Sequence, residues 1–344
     1  MIAWLRVISV APGASLQDSG RHGLQRYGIA EGGVMDRIAL AEGMALLNNQ
    51  PNDAVIEFSG NGGEFEVCGG AVLIACTGAV MSASINNRPL VWRSTVRVEA
   101  GQRITIGAAV DGVYGYLHVQ QGFVVPMVLG SRGTHTRAGF GGFNGRFLKA
   151  GDELPTCALQ NSSQAYLYVN TPVPPPGKLI RVVWGAQADK FSDDVRERFL
   201  NTVFTVSATR DRMGARLTCS TQFMSTTGLS GISDAVLSGD VQIGGDGMAT
   251  VLLADRQPTG GYPRIATVIG ADLHRFVQLP VLSEFRFYQV SIEEAVEALA
   301  LYRDMQKCLP HHLAPLYRDP AEISDLLSYN LIDGVVDARD IHDA

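Results

Sequence analysis

The stretch from Val251 to Ile269, VLLADRQPTGGYPRIATVI, places an apolar run on either side of a polar segment. Short runs rich in Val, Ile and Leu that are separated by Gly and Pro are typical of two β-strands joined by a turn. A plain turn needs only residues that tolerate unusual backbone dihedral angles, so this one carries more polar side chains than its geometry requires. We therefore predict a strand, a tight turn and a second strand, with a functional turn; the alternative is that its side chains only cap and stiffen the loop. The polar and glycine residues of the turn are Asp255, Arg256, Gln257, Gly260, Gly261, Tyr262 and Arg264.

The net charge and its distribution limit the partners of this chain. Its 344 residues include 28 Lys and Arg against 34 Asp and Glu, a formal net charge of −6 without long runs of one sign. This balance argues against nucleic acid or a membrane surface as the main partner. Only 18% of the residues are charged, whereas 46% are hydrophobic and 38 are glycine. We expect a β-rich protein that buries part of its surface against a partner.

The cysteines and histidines do not form the patterns of a metal site. There are five cysteines, none of them in a C-x-x-C pair, and no H-E-x-x-H motif occurs. We therefore predict no metal site and no disulfide framework, and a reducing cytoplasm as the location. No run of apolar residues reaches the roughly 18 that a membrane-spanning helix needs, so we expect no membrane partner.

The first half of the sequence predicts short strands around one helix. A glycine-rich loop carrying Asp18 and Arg21 follows the first strand, and Asp36 is placed to cap a helix with apolar residues at helical spacing. Short alternating strands follow, among them Val72 to Thr77 and Val80 to Ile85, which are separated by a glycine. A β-sandwich or barrel is the expected result.

A second glycine-rich loop contains Arg137 and the run from Gly139 to Gly145. Successive backbone N–H groups in such a loop can form an anion-binding nest. The alternative is a set of turns at a barrel corner, with Arg137 in solvent. Gly141 lies in this run and is a candidate for binding a phosphate or a substrate.

The proline-rich segment TPVPPPGK, residues 171–178, predicts a domain boundary, because consecutive prolines form a stiff linker. We expect an N-terminal β-rich subdomain over residues 1–173 and a C-terminal β-barrel subdomain over residues 174–344. Ser192 is placed to cap a helix in the second half, and Ser291 with Glu294 forms a predicted capping box. A last short helix is expected from Ile323 to Tyr329.

The common catalytic motifs are absent from this sequence. No G-x-S-x-G nucleophile elbow and no G-x-x-x-x-G-K-[ST] phosphate loop occur, and no Met-Lys-Met segment for biotin attachment is present. Any covalent carrier must therefore reside on another chain.

Six motifs taken together resemble one family, over residues 5 to 338. They are QDSGRHGLQRYGI, GGVMDRIAL with AVIEF, GSRGTHTRAGFGGFNGRFLKAGD, RDRMGARL, LLADRQPTGGYPRIATVI and LLSYNLIDGVVDA. In this order they are similar to the allophanate hydrolase subunit 2 family. That family also contains the C subunit of 5-oxoprolinase and the antagonist of the Kip kinase inhibitor, and it resembles half of the carboxyltransferase domain of urea carboxylase.

The resemblance implies a mainly β fold with a few helices, built from two barrel-like subdomains of cyclophilin-like architecture. It also implies a homologue of the family's B subunit as partner, a third lactam-binding subunit, and ATP used by the complex to open 5-oxoproline to glutamate. Two alternatives stay open. One is a carboxyltransferase-like enzyme acting on a urea or amide, with biotin carried by a partner; the other is a non-catalytic antagonist that binds a B-subunit homologue.

The resemblance also implies site residues. We expect Arg256 and Arg264 to bind a carboxylate or phosphoryl group, and Asp255 to orient one of them or to act as a base. Backbone donors would come from the Gly260-Gly261 pair, with Tyr262 beside it. A cleft between the halves would be completed by Asp18, Arg21, Asp36, Arg137 and Gly141.

The sequence departs from the family pattern at several loop positions, and these departures bear on the substrate. Gly43-Met44 replaces Ala-Asn in the first helix, and Pro258 replaces a Thr-type residue of the turn. The other departures include Glu31, Gly32, Trp184 and Gly244.

Overall fold

A computed structural model describes residues 2–159, 166–171, 177–226 and 233–317. Within them, two β-systems follow one another along the chain. The first is a nine-stranded sheet, whose path order is β6-β5-β8-β3-β4-β1-β9, with β2 on β3 and β7 on β5. It curls into a half-barrel and is antiparallel throughout. Its strands are β1 (Ile2–Val10), β2 (Ser15–Gln17), β3 (Val55–Ser59), β4 (Asn61–Cys68), β5 (Val72–Ile85), β6 (Arg88–Pro89), β7 (Thr95–Val98), β8 (Arg103–Val119) and β9 (Glu153–Cys157).

The second β-system is a closed barrel of seven strands in the order β11-β18-β15-β16-β13-β12-β19. It is closed by the parallel pair of β11 and β19, while its other pairs are antiparallel. Two two-stranded sheets, β10 with β20 and β14 with β17, complete the described strands. The bounds are β10 (Leu167–Val169), β11 (Leu179–Trp184), β12 (Phe204–Arg210), β13 (Gly214–Thr218), β14 (Asp234–Ala235), β15 (Asp240–Ile243), β16 (Ala249–Leu252), β17 (Thr259–Gly260), β18 (Arg264–Val268), β19 (Glu284–Gln289) and β20 (Leu313–Pro315).

Four α-helices lie in the described residues: α1 (Arg37–Leu47), α2 (Asp193–Asn201), α3 (Leu273–Val277) and α4 (Ile292–Cys308). The predicted caps are confirmed. Asp36 accepts hydrogen bonds from the backbone of Ile38 and Ala39 at the start of α1. Ser192 caps α2, and Ser291 forms a capping box with Glu294 at the start of α4. The prediction of a mainly β fold with a few helices and two barrel-like parts is thus confirmed.

The predicted hairpin at Val251 to Ile269 is wrong. β16 and β18 do not pair with each other, because β15 lies between them: Val241 is opposite Val251 on one side and Ala266 on the other. The connecting segment is too long for a tight turn, and it forms β17 against β14 instead.

The two strands predicted on either side of Gly78 are one strand, β5. Its pairing with β8 shifts register between Gly78 and Val80, and Gly78 has a φ of +75°. This glycine therefore marks a bulge within a strand, where the sequence pattern indicates a turn.

The two β-systems share a hydrophobic core. Met35 and Leu40 of the first half, with Tyr116 of β8, belong to the same buried cluster as Phe204 and Phe285 of the barrel. The chain also returns to its first half after the barrel, since β20 pairs with β10 and Leu309 packs with Leu46 and Leu47 of α1. Residues 172–176 of the predicted linker and the helix predicted from Ile323 to Tyr329 lie outside the described residues.

One departure from the family pattern has a packing reason. A Cβ atom added to Gly43 of α1 would lie 2.2 Å from Nδ1 and Cε1 of His118. His118 is fully buried, its Nε2 lies 2.8 Å from Oγ1 of Thr77, and burial lowers its pKa to about 3. The imidazole thus fills the space that a larger residue at position 43 would need.

Replacing Gly43 by alanine is expected to destabilise the protein by about 1 to 3 kcal/mol, because overpacking outweighs the better helix propensity of alanine. In a His118→Ala background the same replacement should become neutral or stabilising, since the clash is gone. Urea denaturation of the original protein, the two single variants and the double variant measures the coupling energy between positions 43 and 118. Equal effects of Gly43→Ala in both backgrounds would contradict the packing explanation.

Candidate active site

A cleft of about 570 Å³ lies between the first half, the barrel and α4. The loop before α1 forms one wall, the barrel and α3 form a second, and α4 forms the third. The size lies within the range of small-molecule sites. Its lining residues are Glu31, Gly32, Val34, Met35, Arg37, Leu237, Ser238, Leu253, Ala254, Arg256, Gly270, Leu273, His274, Val277, Leu299, Tyr302, Arg303 and Gln306.

Among the site residues expected from the sequence, Arg256 lines this cleft. Its side chain donates from Nε to the carbonyl of Val236 (3.1 Å) and from Nη2 to Oε1 of Gln25 (3.4 Å). The residue is only 4% exposed, and its Nη1 has no hydrogen-bond partner among the described residues. Burial lowers the pKa of Arg256, against the smaller opposing effects of Glu31 and Asp240. A desolvated guanidinium with one nitrogen left without a hydrogen-bond partner favours an anionic ligand.

Further titratable groups line the same cleft. Glu31 accepts from Nη2 of Arg37 (2.9 Å), and its Oε1 also lies 2.6 Å from Nδ1 of His22. Arg303 of α4 is exposed and has no partner among the described residues. His274 packs against the ring of Tyr302, with 5.1 Å between centroids, and burial lowers its pKa. The cleft therefore combines cations, one carboxylate and an imidazole that favours its neutral form.

A buried ion cluster connects the barrel to the first half behind this cleft. Arg212 holds Asp255 with two hydrogen bonds, from Nε (2.8 Å) and Nη2 (2.9 Å), and also donates to Glu57 and to the carbonyl of Gly33 (2.6 Å). Burial alone would lower the pKa of Arg212, but Asp255 and Glu57 hold it well above its usual value. Asp255 is thus oriented by Arg212, and its carboxylate does not bond Arg256 or Arg264.

The cluster continues through the first sheet. Glu57 accepts from the hydroxyl of Tyr116 (2.9 Å) and from the backbone N–H of Met35 (2.7 Å). Burial raises the pKa of Glu57 in spite of these donors and Arg212. Gln278 donates to Oδ2 of Asp36 (2.8 Å) and accepts from the backbone of β8. Asp36 therefore caps α1 and ties it to the barrel, and it does not line the cleft.

Arg264 is neutralised by carboxylates of its own half. It pairs with Asp234 (2.5 Å) and Asp240 (3.5 Å), and it also donates to the carbonyl of Ala235. Gly260 lies in β17 opposite Asp234, and Tyr262 is 49% exposed. Gly261, between them, is half-buried. These residues lie beyond the lining of the cleft.

The candidates of the two glycine-rich loops hold those loops together. Asp18 is fully buried, and it accepts from Gly20 N (2.9 Å), Ser131 Oγ (2.5 Å) and Arg132 N (2.6 Å). Arg21 is 1% exposed and donates to the carbonyls of residues 128 (3.1 Å) and 133 (2.5 Å).

The position of Arg21 explains why residue 141 of the second loop is a glycine. Gly141 has a φ of +72°, and a Cβ there would lie 2.3 Å from Nη2 of Arg21. Arg21 also lies 4.9 Å above the ring of Phe140, and its Nη1 has no partner among the described residues. Arg137 is exposed on the same loop, away from the lining of the cleft.

Sequence reasoning missed Glu57, Gln278, Arg37, Arg303 and His274. Glu57 and Gln278 are polar residues at otherwise apolar positions, which is a weak signal of a buried network. The cations on α1 and α4 look like ordinary solvated helix residues, and only the packing of the two helices around the cleft distinguishes them.

No group of three His, Cys, Asp or Glu residues that could hold a metal ion occurs in the part of the chain that the structure describes. Nor does any helix within it have the length and apolar character needed to cross a membrane.

Several known proteins are similar to this chain. The C subunit of 5-oxoprolinase from Haemophilus influenzae is 36% identical over 300 residues, which cover 85% of this chain and 93% of that protein. The Escherichia coli protein of the same name is 34% identical over 297 residues, 86% of this chain and 94% of its own length. A urea amidolyase from Lachancea kluyveri is 28% identical over 348 residues, but this chain matches only 19% of it.

The fold has a counterpart among solved structures. The crystal structure of the K. lactis urea amidolyase superposes with a TM-score of 0.80 at 23% identity, covering 92% of this chain and 21% of that one. The family model of the carboxyltransferase domain, subdomain A and B, matches residues 27–289 of the 344. This chain therefore belongs to the carboxyltransferase domain family, subdomain A and B.

Proposed function

We propose that this chain is the C subunit of an ATP-dependent 5-oxoprolinase-like complex, which opens 5-oxoproline to glutamate together with a B-subunit homologue. Its likeness to two proteins that are named as C subunits of 5-oxoprolinase, over more than nine-tenths of their length, supports the assignment. The structural observation that carries it is the desolvated Arg256 guanidinium, a residue of the cleft wall whose buried Nη1 has no hydrogen-bond partner among the described residues.

The chemistry of a lactam explains why such a cleft is needed. An amide carbonyl is a poor electrophile, and phosphorylation of its oxygen creates an iminol phosphate that water can attack. The charge that develops on oxygen is stabilised by preorganised cationic donors in a site of low dielectric constant. In our proposal Arg256 binds the substrate carboxylate or a phosphoryl group, and Arg37 and Arg303 supply further positive charge.

The remaining candidates receive positioning roles in this proposal. Asp255 acts through Arg212, which holds the Gly33 carbonyl and so the loop that forms one wall of the cleft. Asp18, Arg21 and Gly141 hold the two glycine-rich loops against each other. Arg264 holds β14 against the barrel by pairing with Asp234.

ATP would be a co-substrate of the complex. The three arginines at the cleft suit the oxygens of a phosphoryl group, whereas the sequence has no phosphate loop. We infer that the partner subunits complete the nucleotide site. We also propose a cytoplasmic location, which the cysteine usage predicts and where ATP is available.

The test uses the purified full chain with a B-subunit homologue and a third, lactam-binding subunit from the same organism. Mixing them with 5-oxoproline and ATP is expected to release glutamate and consume ATP in equal amounts, and leaving out any subunit should stop the reaction. A stable complex without glutamate release would overturn the proposal. Turnover by the isolated chain would contradict the shared site.

A second candidate function is carboxyl transfer to a urea or amide. The sequence similarity to a urea amidolyase favours it. Biotin would be carried by a partner protein, since the chain has no attachment segment. Carboxylation of urea by the assembled complex, dependent on a biotinylated carrier, would identify this function; binding of the B-subunit homologue with no turnover of either substrate would indicate the antagonist.

A further inference from the structure

A second cavity, of about 560 Å³, lies between α1, α4 and the segment that follows α1. Its volume is typical of small-molecule sites. We call it the α1–α4 groove. It is lined by Ser19, His22, Arg37, Leu40, Ala41, Met44, Ala45, Asn48, Asn49, Pro51, Arg303, Gln306, Lys307 and Pro310.

The floor of the α1–α4 groove is apolar. Leu40, Ala41, Met44 and Ala45 present one face of α1 to it, at the i, i+1, i+4, i+5 spacing that places side chains on one side of a helix. Pro51, which follows α1, and Pro310, which follows α4, complete this surface. Such a floor favours a ligand with a hydrocarbon or aromatic body.

The rim of the groove is basic. His22, Arg37, Arg303 and Lys307 line it, and none of its described lining residues is acidic, although the whole chain carries a net charge of −6. Glu31, which lines the neighbouring cleft, pairs with Arg37 (2.9 Å) and lies 2.6 Å from Nδ1 of His22. Arg303 has no partner among the described residues. Lys307 pairs with the exposed Asp304 (3.1 Å), a contact that contributes little in water. Arg303 and Lys307 of α4 are therefore the rim charges that attract an anion.

The groove is a neighbour of the cleft and not its continuation. Arg37, Arg303 and Gln306 line both cavities. Nε2 of Gln306 donates to the carbonyl of Arg37 (3.2 Å), and this hydrogen bond joins α4 to α1 between the two spaces. Ala45 and Lys307 line the groove alone, so changes at these residues report on it separately.

We propose that the α1–α4 groove binds an amphipathic anion, a small molecule with an apolar body and one carboxylate or phosphate head group. The body rests on the apolar face of α1, and the head group contacts Arg303 and Lys307 of α4. This site shares Arg37 and Arg303 with the cleft, but its ligand is additional to the proposed lactam chemistry and does not contact Arg256.

Isothermal titration of the full chain with octanoate tests the proposal. Octanoate is expected to bind with one site per chain, and binding should weaken as the salt concentration rises, because the rim charges are solvent-exposed. Octylamine, which has the same apolar tail and the opposite charge, serves as the control ligand and should bind at least about tenfold more weakly. Equal binding of both ligands, or no octanoate binding at millimolar concentration, would overturn the proposal.

Three variants locate the site. Lys307→Glu should weaken octanoate binding about tenfold, whereas Arg286→Glu, a matched charge reversal on exposed β19, should not. Ala45→Trp fills the floor and should abolish binding, with circular dichroism showing that the fold is retained. Loss of octanoate binding in Arg256→Ala with unchanged binding in Lys307→Glu would place the ligand in the cleft and refute the groove assignment.

Discussion

Replacing Arg212 by alanine is expected to lower the free energy of unfolding by about 3 to 5 kcal/mol, because it leaves buried carboxylates without their counter-ion. Asp255 loses two hydrogen bonds and Glu57 loses its cationic partner. Glu57 is 1% exposed and Asp255 8%, so water replaces the guanidinium poorly. The Gly33 carbonyl also loses its donor, which loosens the wall of the cleft.

Arg216 provides the matched control for Arg212. It lies on the adjacent strand β13 and is also ion-paired, to Asp246, but both side chains are nearly half exposed, at 44% and 46%. Its replacement by alanine should cost less than about 1 kcal/mol. Urea denaturation at neutral pH, followed by tryptophan fluorescence, compares the two variants. A similar small loss in both would show that the Arg212 cluster does not join the halves of the protein.

Replacing Arg256 by alanine is expected to reduce turnover of the assembled complex by about 100-fold or more, the usual effect of removing a donor that stabilises charge in the transition state. The complex should still assemble, which size-exclusion chromatography with the partner subunits can measure. Arg256→Lys retains the positive charge but replaces the three nitrogens of the guanidinium by one. It should therefore recover only part of the activity.

The Arg256 assignment has its own control. Arg216→Ala removes an arginine of the same half that does not line the cleft, and turnover should be unchanged. Because Arg256 also donates to Val236 and Gln25, the thermal midpoint of each variant must be compared. Unchanged turnover in Arg256→Ala would remove this residue from the site, while normal glutamate release by the unmodified complex would leave the proposed function standing.

Local structure was predictable from sequence wherever neighbouring residues determine it. The caps at Asp36 and Ser192 and the capping box at Ser291 are formed by side chains that bond backbone groups two or three residues away. The short range of these bonds makes them readable from the sequence.

Strand pairing was less predictable, because its partners are distant in sequence. The interruption at Gly78 indicates a turn, but it is a bulge because β8 extends far enough to pair with both sides of it. The apolar runs at Val251 and Ile269 suggest a hairpin, yet β15 occupies the position between their strands. In each case the decisive contact comes from a strand that the local pattern does not include.

The sequence by itself determined the mainly β class and the helix starts, and it singled out Arg256 as a candidate, because composition, capping and an unusually polar segment are local properties. Only the tertiary structure decided that Asp255 bonds Arg212, that Arg264 is neutralised by Asp234, and that α1 and α4 contribute basic residues to the cleft. The physical reason is that the pairing and the pKa of a charged side chain depend on which groups, distant in sequence, are buried next to it.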